Sequence, residues 1–272
     1  MKNRNITKLK IPQVNEFDFQ IKYSEIDQKS HRFEIDLHTH NEFEIYINLS
    51  GDVSFLVENS LYPLTRGDVI VARPFERHHC VYRSDKPHKL FWILFDSNKN
   101  KNLLDFLKDG FTKNYISPSD EHKNELIKLC NSLYKKKLSN EEKIYSFLRI
   151  FAILKENNIK STIKDTLPED LSKIINYIDK HIKEQITVSE IAKSLYISQS
   201  TLERKFKKTL NITPLEFIRK KKLILAGQLL QKGESVLFTA INLGYGDTSY
   251  FIQLFKEYYG CTPYEYKQKN KN

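Results

Sequence analysis

The chain has 272 residues, 40% of them hydrophobic and 12% aromatic, which is enough apolar material for two ordinary domain cores and too much for a disordered chain. Its net charge is +10, and the excess is denser towards the C-terminus: 17 basic against 11 acidic residues from Pro168 to Asn272 give +6, leaving +4 for the first 167. Such a balance suits a partner of negative charge, while the lack of any apolar run long enough for a bilayer or a signal peptide argues against a membrane span and predicts a cytoplasmic protein.

From about Phe17 to Phe95 the chain reads as β structure. Segments such as Phe43–Ser50, Val53–Asn59, Asp68–Arg73 and Lys89–Phe95 are short and rich in β-branched and aromatic residues. Turn signals at Ser50-Gly51-Asp52, Glu58-Asn59-Ser60, Arg66-Gly67-Asp68 and Arg73-Pro74 separate them, the pattern of a small barrel or sandwich. From about Asn100 the period becomes helical: Leu103–Gly110, then Asn124–Lys137, then Asn140–Asn157. The last carries Ile144, Phe147, Leu148, Phe151 and Leu154 on one face, a candidate two-fold interface or a face packed on its own domain. The polar stretch Asn157–Pro168 reads as a linker. Residues 1–99, 100–167 and 168–272 are therefore expected to be a β domain, a helical connector and an all-helical domain, an α+β multidomain chain. Cys80, Cys130 and Cys261 are too few and too far apart for a disulfide framework or a zinc site, and read as buried or incidental thiols.

The helical domain contains a repeat offset by 49 residues. Ser200, Leu202, Phe206 and Lys207 align with Ser249, Phe251, Phe255 and Lys256. Asn211, Thr213, Pro214, Glu216 and Phe217 align with Gly260, Thr262, Pro263, Glu265 and Tyr266. Asn and Gly are the residues that most readily adopt the left-handed conformation ending a helix, and a proline three positions on suits the first turn of the next. Thr187 with Glu190 makes a capping box, and Ser235 caps the corresponding helix of the second copy. Val188, Ile191, Ala192 and Leu195 face inward in the first copy, and Val236, Ala240 and Leu243 in the second. Each copy is thus two short helices about a tight turn, and a helix from Pro214 to Gln231 joins the copies.

This layout, with the sequences NITPLEF and AINLGYGDTSYFIQLFKEYYGCTPYEY and the A-x-x-L-L-x-x-G stretch from Ala226 to Gly233, resembles the DNA-binding domain of the AraC/XylS family of transcription regulators. The resemblance covers about Leu171 to Lys267. It implies that the second helix of each copy enters the major groove of double-stranded DNA. The outward positions are Gln199, Ser200, Thr201, Glu203, Arg204 and Lys207 on the first such helix and Thr248, Ser249, Tyr250, Gln253 and Lys256 on the second. Lys207, Lys208 and Lys220 to Lys222 are assigned to phosphate contacts or solvated surface.

In the β domain, His38, His40 and Glu44 followed by Gly51, then Gly67, Pro74 and His78, resemble the two motifs of a cupin barrel, the second loosely. Many AraC-type regulators carry a cupin-like sensing domain here, so both halves imply one family. Glu44, Tyr46 and Asn48 alternate with Phe43, Ile45, Ile47 and Leu49; if the former set faces the lumen, His38, His40, Glu44, Tyr46 and His78 form an effector site. The histidines and Glu44 suit either a divalent metal or hydrogen bonds to one another and to a polar effector, and no metal or cofactor is assigned. His79 and Arg83 are candidates for an anionic effector or for surface positions. The function expected is effector-responsive transcription control by a homodimer, touching RNA polymerase if it activates. The alternatives are a metal-dependent cupin enzyme, which leaves the repeat unexplained, and a regulator whose cupin domain only dimerises.

Overall fold

A computed structural model describes residues 6–10, 18–26, 37–40, 42–96, 111, 113–135, 138–158 and 167–269. The chain forms two compact units, Met1–Thr166 and Leu167–Asn272.

The first unit holds, among the described residues, strands β1 (Ile6–Lys10), β2 (Asp18–Ile26), β3 (Glu42–Ser50), β4 (Val53–Val57), β5 (Ser60–Leu64), β6 (Val69–Ala72), β7 (His78–Tyr82), β8 (His88–Asp96) and β9 (Tyr115–Ile116). They make a six-stranded sheet in the order β1-β2-β8-β3-β6-β9 and a three-stranded sheet in the order β5-β4-β7, all pairs antiparallel. Alternation along the strands gives the large sheet two apolar faces. Tyr46, Ile70 and Leu90 meet Val53, Phe55, Val57, Tyr62 and Cys80 in a lumen between the sheets. Ile45, Ile47, Val69, Val71, Phe91 and Ile93 point the other way.

That second face is covered by α1 (Asp120–Lys135) and α2 (Asn140–Asn158), through Leu126, Cys130, Leu133, Phe147, Ile150, Phe151 and Leu154. The Phe147 ring stacks on Phe19 at 3.7 Å between centroids, and Phe151 packs edge-on against Phe95 and Phe111. Three members of the face considered for a dimer contact, Phe147, Phe151 and Leu154, are therefore core of their own unit, while Leu148 is exposed and Ile144 half-buried. A second tie is the buried Asp68, which accepts hydrogen bonds from Thr65 N and Oγ1 and from Ser117 Oγ, and pairs with Lys123 Nζ at 2.9 Å. It fastens the turn before β6 to β9 and α1. The expected connector thus folds onto the sheet. The expected helix Leu103–Gly110 and most of the expected linker lie outside the described residues, but Asn157 and Asn158 end α2 and are buried.

The second unit is all helical: α3 (Glu169–Lys180), α4 (Val188–Ser194), α5 (Gln199–Leu210), α6 (Pro214–Gln231), α7 (Val236–Asn242), α8 (Thr248–Tyr259) and α9 (Pro263–Lys269). Its ends are where local chemistry puts them. Thr187 and Glu190 form a full capping box, Ser235 caps α7, and Asn211 and Gly260 end α5 and α8 at φ of 60° and 71°. In the first copy Ile191, Ala192 and Leu202 are buried and Phe206 packs edge-on against Phe217; in the second Ala240, Leu243, Phe251 and Phe255 meet Leu223, Ala226 and Leu230.

Two of the lysines assigned to phosphate or solvent are buried instead. Lys221 pairs with Asp179 on α3. Lys222 Nζ donates to the carbonyls of Glu184 and Leu243, both at 2.7 Å, and lies over the Tyr245 ring. Position in the middle of α6, facing both copies, overrides the hydrophilic character of the side chain.

The core role of α2 is testable through Trp92, the chain's one tryptophan, which lies in the first unit on β8. Phe151→Ala is expected to cost ~3–5 kcal/mol of stability in denaturant unfolding followed by Trp92 fluorescence. Leu148→Glu, on the exposed side, should stay within about 0.5 kcal/mol of the wild type. A Leu148→Glu protein that fails to fold would contradict this assignment.

Candidate functional site

Two regions bring chemistry-bearing side chains together. The first is the lumen of the β unit. β3 presents Glu44 and Tyr46 to it, and β7 presents His78, Cys80 and Tyr82. His38 pairs with His78 through two backbone hydrogen bonds, 3.1 and 3.0 Å, which carries the 38–40 segment across the mouth of the lumen. His38, His40, Glu44 and His78 consequently each offer a ligand atom within 4.8 Å of the others. Four of the five expected effector residues form this cluster. The fifth, Tyr46, lies deeper in the lumen, with its hydroxyl 2.5 Å from His88 Nε2 and 3.7 Å from Cys80 Sγ.

The electrostatics of the cluster follow from its burial. Glu44 and His78 are buried; His38 and His40 are half-buried. Burial by itself would raise the Glu44 carboxyl, but His78, hydrogen bonds from His40 and His78, and the nearby His38 hold it well below the usual carboxylate range. Burial would likewise lower His78, yet the charge and hydrogen bonding of Glu44 raise it. Deeper in, burial pushes Cys80 up to about 12 and Tyr46 well above its ordinary value, so both stay protonated. His79 sits on the opposite face of β7 from His78 and is buried; Arg83 is exposed and donates to Ser54 Oγ.

His88 was not among the expected site residues. It opens β8, is fully buried, and has Nε2 in hydrogen-bond contact with the Tyr46 hydroxyl, while Nδ1 has no partner among the described residues. No motif or spacing marks it, because its neighbours come from β3 and β7. Other partners of the lumen that sequence reasoning missed, Cys80 and Tyr82, have the same cause.

The second region is the outward side of α5 and α8. Gln199, Ser200, Glu203, Arg204 and Lys207 are exposed on α5, at a spacing that places them on one face. Thr201 is half-buried, and its Oγ1 accepts from the capping Ser198. On α8, Ser249, Tyr250, Gln253 and Lys256 are exposed and Thr248 is half-buried. Gln199 donates to Glu203 at 2.8 Å and Gln253 to Glu257 at 3.0 Å, while Lys207 Nζ donates to the carbonyl of Asn211. Asp170 of α3 holds Lys205 on the flank of α5. Among the described residues Arg204 has no hydrogen-bond or ion-pair partner.

The buried His88 gives the first unit an acid-sensitive term. Burial depresses it to about 4, against about 6.5 in an unfolded chain. Between those values the unfolded chain holds a proton that the folded chain does not, so stability falls as pH falls through this window. Unfolding of the wild type and of His88→Gln, followed by Trp92, should diverge from pH 6.5 to 4, the wild type losing on the order of 3 kcal/mol more. Parallel pH profiles would show that His88 is protonated in the fold.

Comparison with known proteins places both units of the chain in known families. A model of an AraC-like ligand binding domain matches residues 22–152, and one of a helix-turn-helix domain matches residues 191–269. The HTH-type transcriptional activator RhaR of Mannheimia succiniciproducens is 25% identical over 259 residues, covering 90% of this chain and 91% of its own. The regulatory protein PocR of Salmonella typhimurium is 30% identical over 130 residues, 45% of this chain and 43% of its own. The HTH-type transcriptional regulator YdeC of Bacillus subtilis is 26% identical over 269 residues, 87% of each. The chain belongs to the AraC family of transcription regulators, with a cupin-like ligand-binding domain followed by a DNA-binding helix-turn-helix domain.

Proposed function

We propose that α5 and α8 enter successive major grooves of one operator, that a small molecule seated among His38, His40, Glu44, Tyr46 and His78 sets how tightly the chain binds there, and that α5 supplies most of the base specificity. The observation that carries the division of labour is the different state of two side chains. Arg204 is exposed and unpaired among the described residues. Gln253 is already engaged with Glu257 and must give up that bond to read a base. An Arg–guanine pair is charge-assisted and bidentate, whereas a Gln–adenine pair is neutral. Lys207 and Lys256 would take phosphate contacts, and Ser200, Ser249 and Tyr250 sugar, phosphate or thymine methyl.

The rest of the proposal is coarser. The chain acts as a cytoplasmic regulator and not as an enzyme, as its regulator relatives support. A homodimer would use the exposed apolar side of α2, where Tyr145 and Leu148 lie. Contact with RNA polymerase follows only if the chain activates. An effector acts by preferring one state of the regulator over another.

A base-by-base binding profile tests the proposal. Arg204→Ala is expected to lose preference at one guanine and to weaken binding by ~1–3 kcal/mol. Gln253→Ala should cost less and relax a position in the other half-site. The isolated segment 167–272, a compact unit, should retain binding that weakens steeply with salt, as phosphate contacts displace counterions. A larger loss from Gln253→Ala, or both variants relaxing the same base, would overturn the division of labour. Salt-independent binding would overturn the groove assignment.

A further inference from the structure

The α8 helix is poorly equipped to hold a polyanion. On α5, Arg204, Lys205, Lys207 and Lys208 stand against Glu203, whereas the charges of α8 are Lys256 and Glu257. The two helices also start differently. A neutral serine, Ser198, caps α5, but α8 is capped by Asp247, whose carboxylate accepts from the backbone N–H groups of Ser249 and Tyr250 at 2.7 and 3.4 Å. A carboxylate in that place fills the end of the helix where a phosphate would otherwise bind, and it repels one that comes near. If α8 is to lie in a groove, positive charge has to reach its N-terminal half from elsewhere.

The connecting helix supplies it. Arg219 lies on α6, three and four residues before Lys222 and Leu223, on the face turned to the second copy. It is half-buried, and its Nη2 stands 3.5 Å from the exposed Tyr250 hydroxyl. Among the described residues that contact is its one hydrogen bond, and it has no ion pair. Burial raises the Tyr245 hydroxyl and the charge of Arg219 works against it, so the guanidinium lies beside the turn ahead of α8 as well. A guanidinium carries five N–H donors, and one long contact leaves most of them unused.

We propose that Arg219 and the Tyr250 hydroxyl together bind one phosphate of the DNA backbone at the half-site met by α8. The hydroxyl accepts from Arg219 and donates its own proton to the phosphate, while the remaining guanidinium N–H groups donate to the same phosphate with charge assistance. The inference rests on the reading of α8 as a groove helix and narrows it: Tyr250 serves the backbone, and base reading in that half-site falls to Gln253. A phosphate contact positions a helix without reading sequence, so a half-site tolerant of base changes is still held firmly.

The test uses the full chain and its selected operator, with uncharged methylphosphonate replacing one phosphate at a time through the α8 half-site. The wild type is expected to lose about tenfold in affinity at one position. Arg219→Gln should bind the unmodified operator about tenfold more weakly, lower the salt slope by about one, leave every base preference unchanged, and lose nothing further at that methylphosphonate. Arg219→Lys keeps the charge and should keep the slope. Tyr250→Phe removes no charge, so it should keep the slope and lose part of the response at the same phosphate. Wild-type circular dichroism and an unchanged base preference in the α5 half-site establish that the variants are folded. Arg219→Gln binding like the wild type overturns the proposal, as does a loss that adds to the methylphosphonate effect at every position, or an altered preference at any base. The groove reading is separated by Gln253→Ala. A base relaxed by Gln253→Ala with Arg219→Gln silent rejects the phosphate contact and keeps α8 in the groove. No effect from Gln253→Ala or from any methylphosphonate rejects both.

Discussion

A single buried ammonium group ties the two helix-turn-helix copies together. Lys222 lies in the middle of α6, buried, with its charge shared between the carbonyls of Glu184 and Leu243. The first carbonyl follows α3 and leads into the first helix-turn-helix copy; the second ends the first helix of the second copy. The same point is where backbone meets backbone. Gly244, at φ of 70°, leaves its missing Cβ position 2.7 Å from the carbonyl carbon of Glu184, so a side chain there would force the copies apart. Burial lowers the Lys222 pKa, the cost of holding an ammonium away from water with no carboxylate partner, and two short hydrogen bonds and the Tyr245 face offset it. Lys221 extends the arrangement to Asp179 on α3. The connecting helix is therefore the spine that ties the elements carrying α5 and α8 to one another.

The sensing unit rests on a different constraint, the two-residue period of β3. Ile45 and Ile47 enter the core under α1 and α2, which forces Glu44 and Tyr46 into the lumen between the sheets. A shift of one residue in register would reverse both assignments. Because the helices cover the outer face of the large sheet, that face is spent on stability, and the polar chemistry collects on the inner one.

Legibility in the sequence follows how local each feature is. The ends of α5, α6 and α8 were readable because Asn211, Thr213 with Pro214, and Gly260 act on their own turns. The alternation of β3 was readable because period and burial coincide. The fate of Lys221 and Lys222 was not: a run of three lysines looks solvated, and only the packing of α3 and the Gly244 turn around α6 shows that two of them are enclosed. The apolar face of α2 was visible, but not what covers it, since Phe19 and Phe95 are distant in sequence. Tyr196 is another such case. It occupies, at φ of 55°, the left-handed turn position that Gly244 fills in the second copy, and it stands fully in solvent, so the shorter first turn carries a strain that no sequence rule announces.

If the spine is rigid, spacing matters as much as sequence. The most direct measurement is the affinity of the full chain for its selected operator and for the same operator with about five base pairs, half a helical turn, inserted between the half-sites. The insertion turns one half-site to the far side of the duplex. The account predicts a fall of about tenfold or more, the loss of one unit's base contacts, and a smaller fall for Lys222→Met, in which the copies are no longer held together. Equal affinity at both spacings for the wild type would mean that the two helices read DNA independently, and would contradict the account.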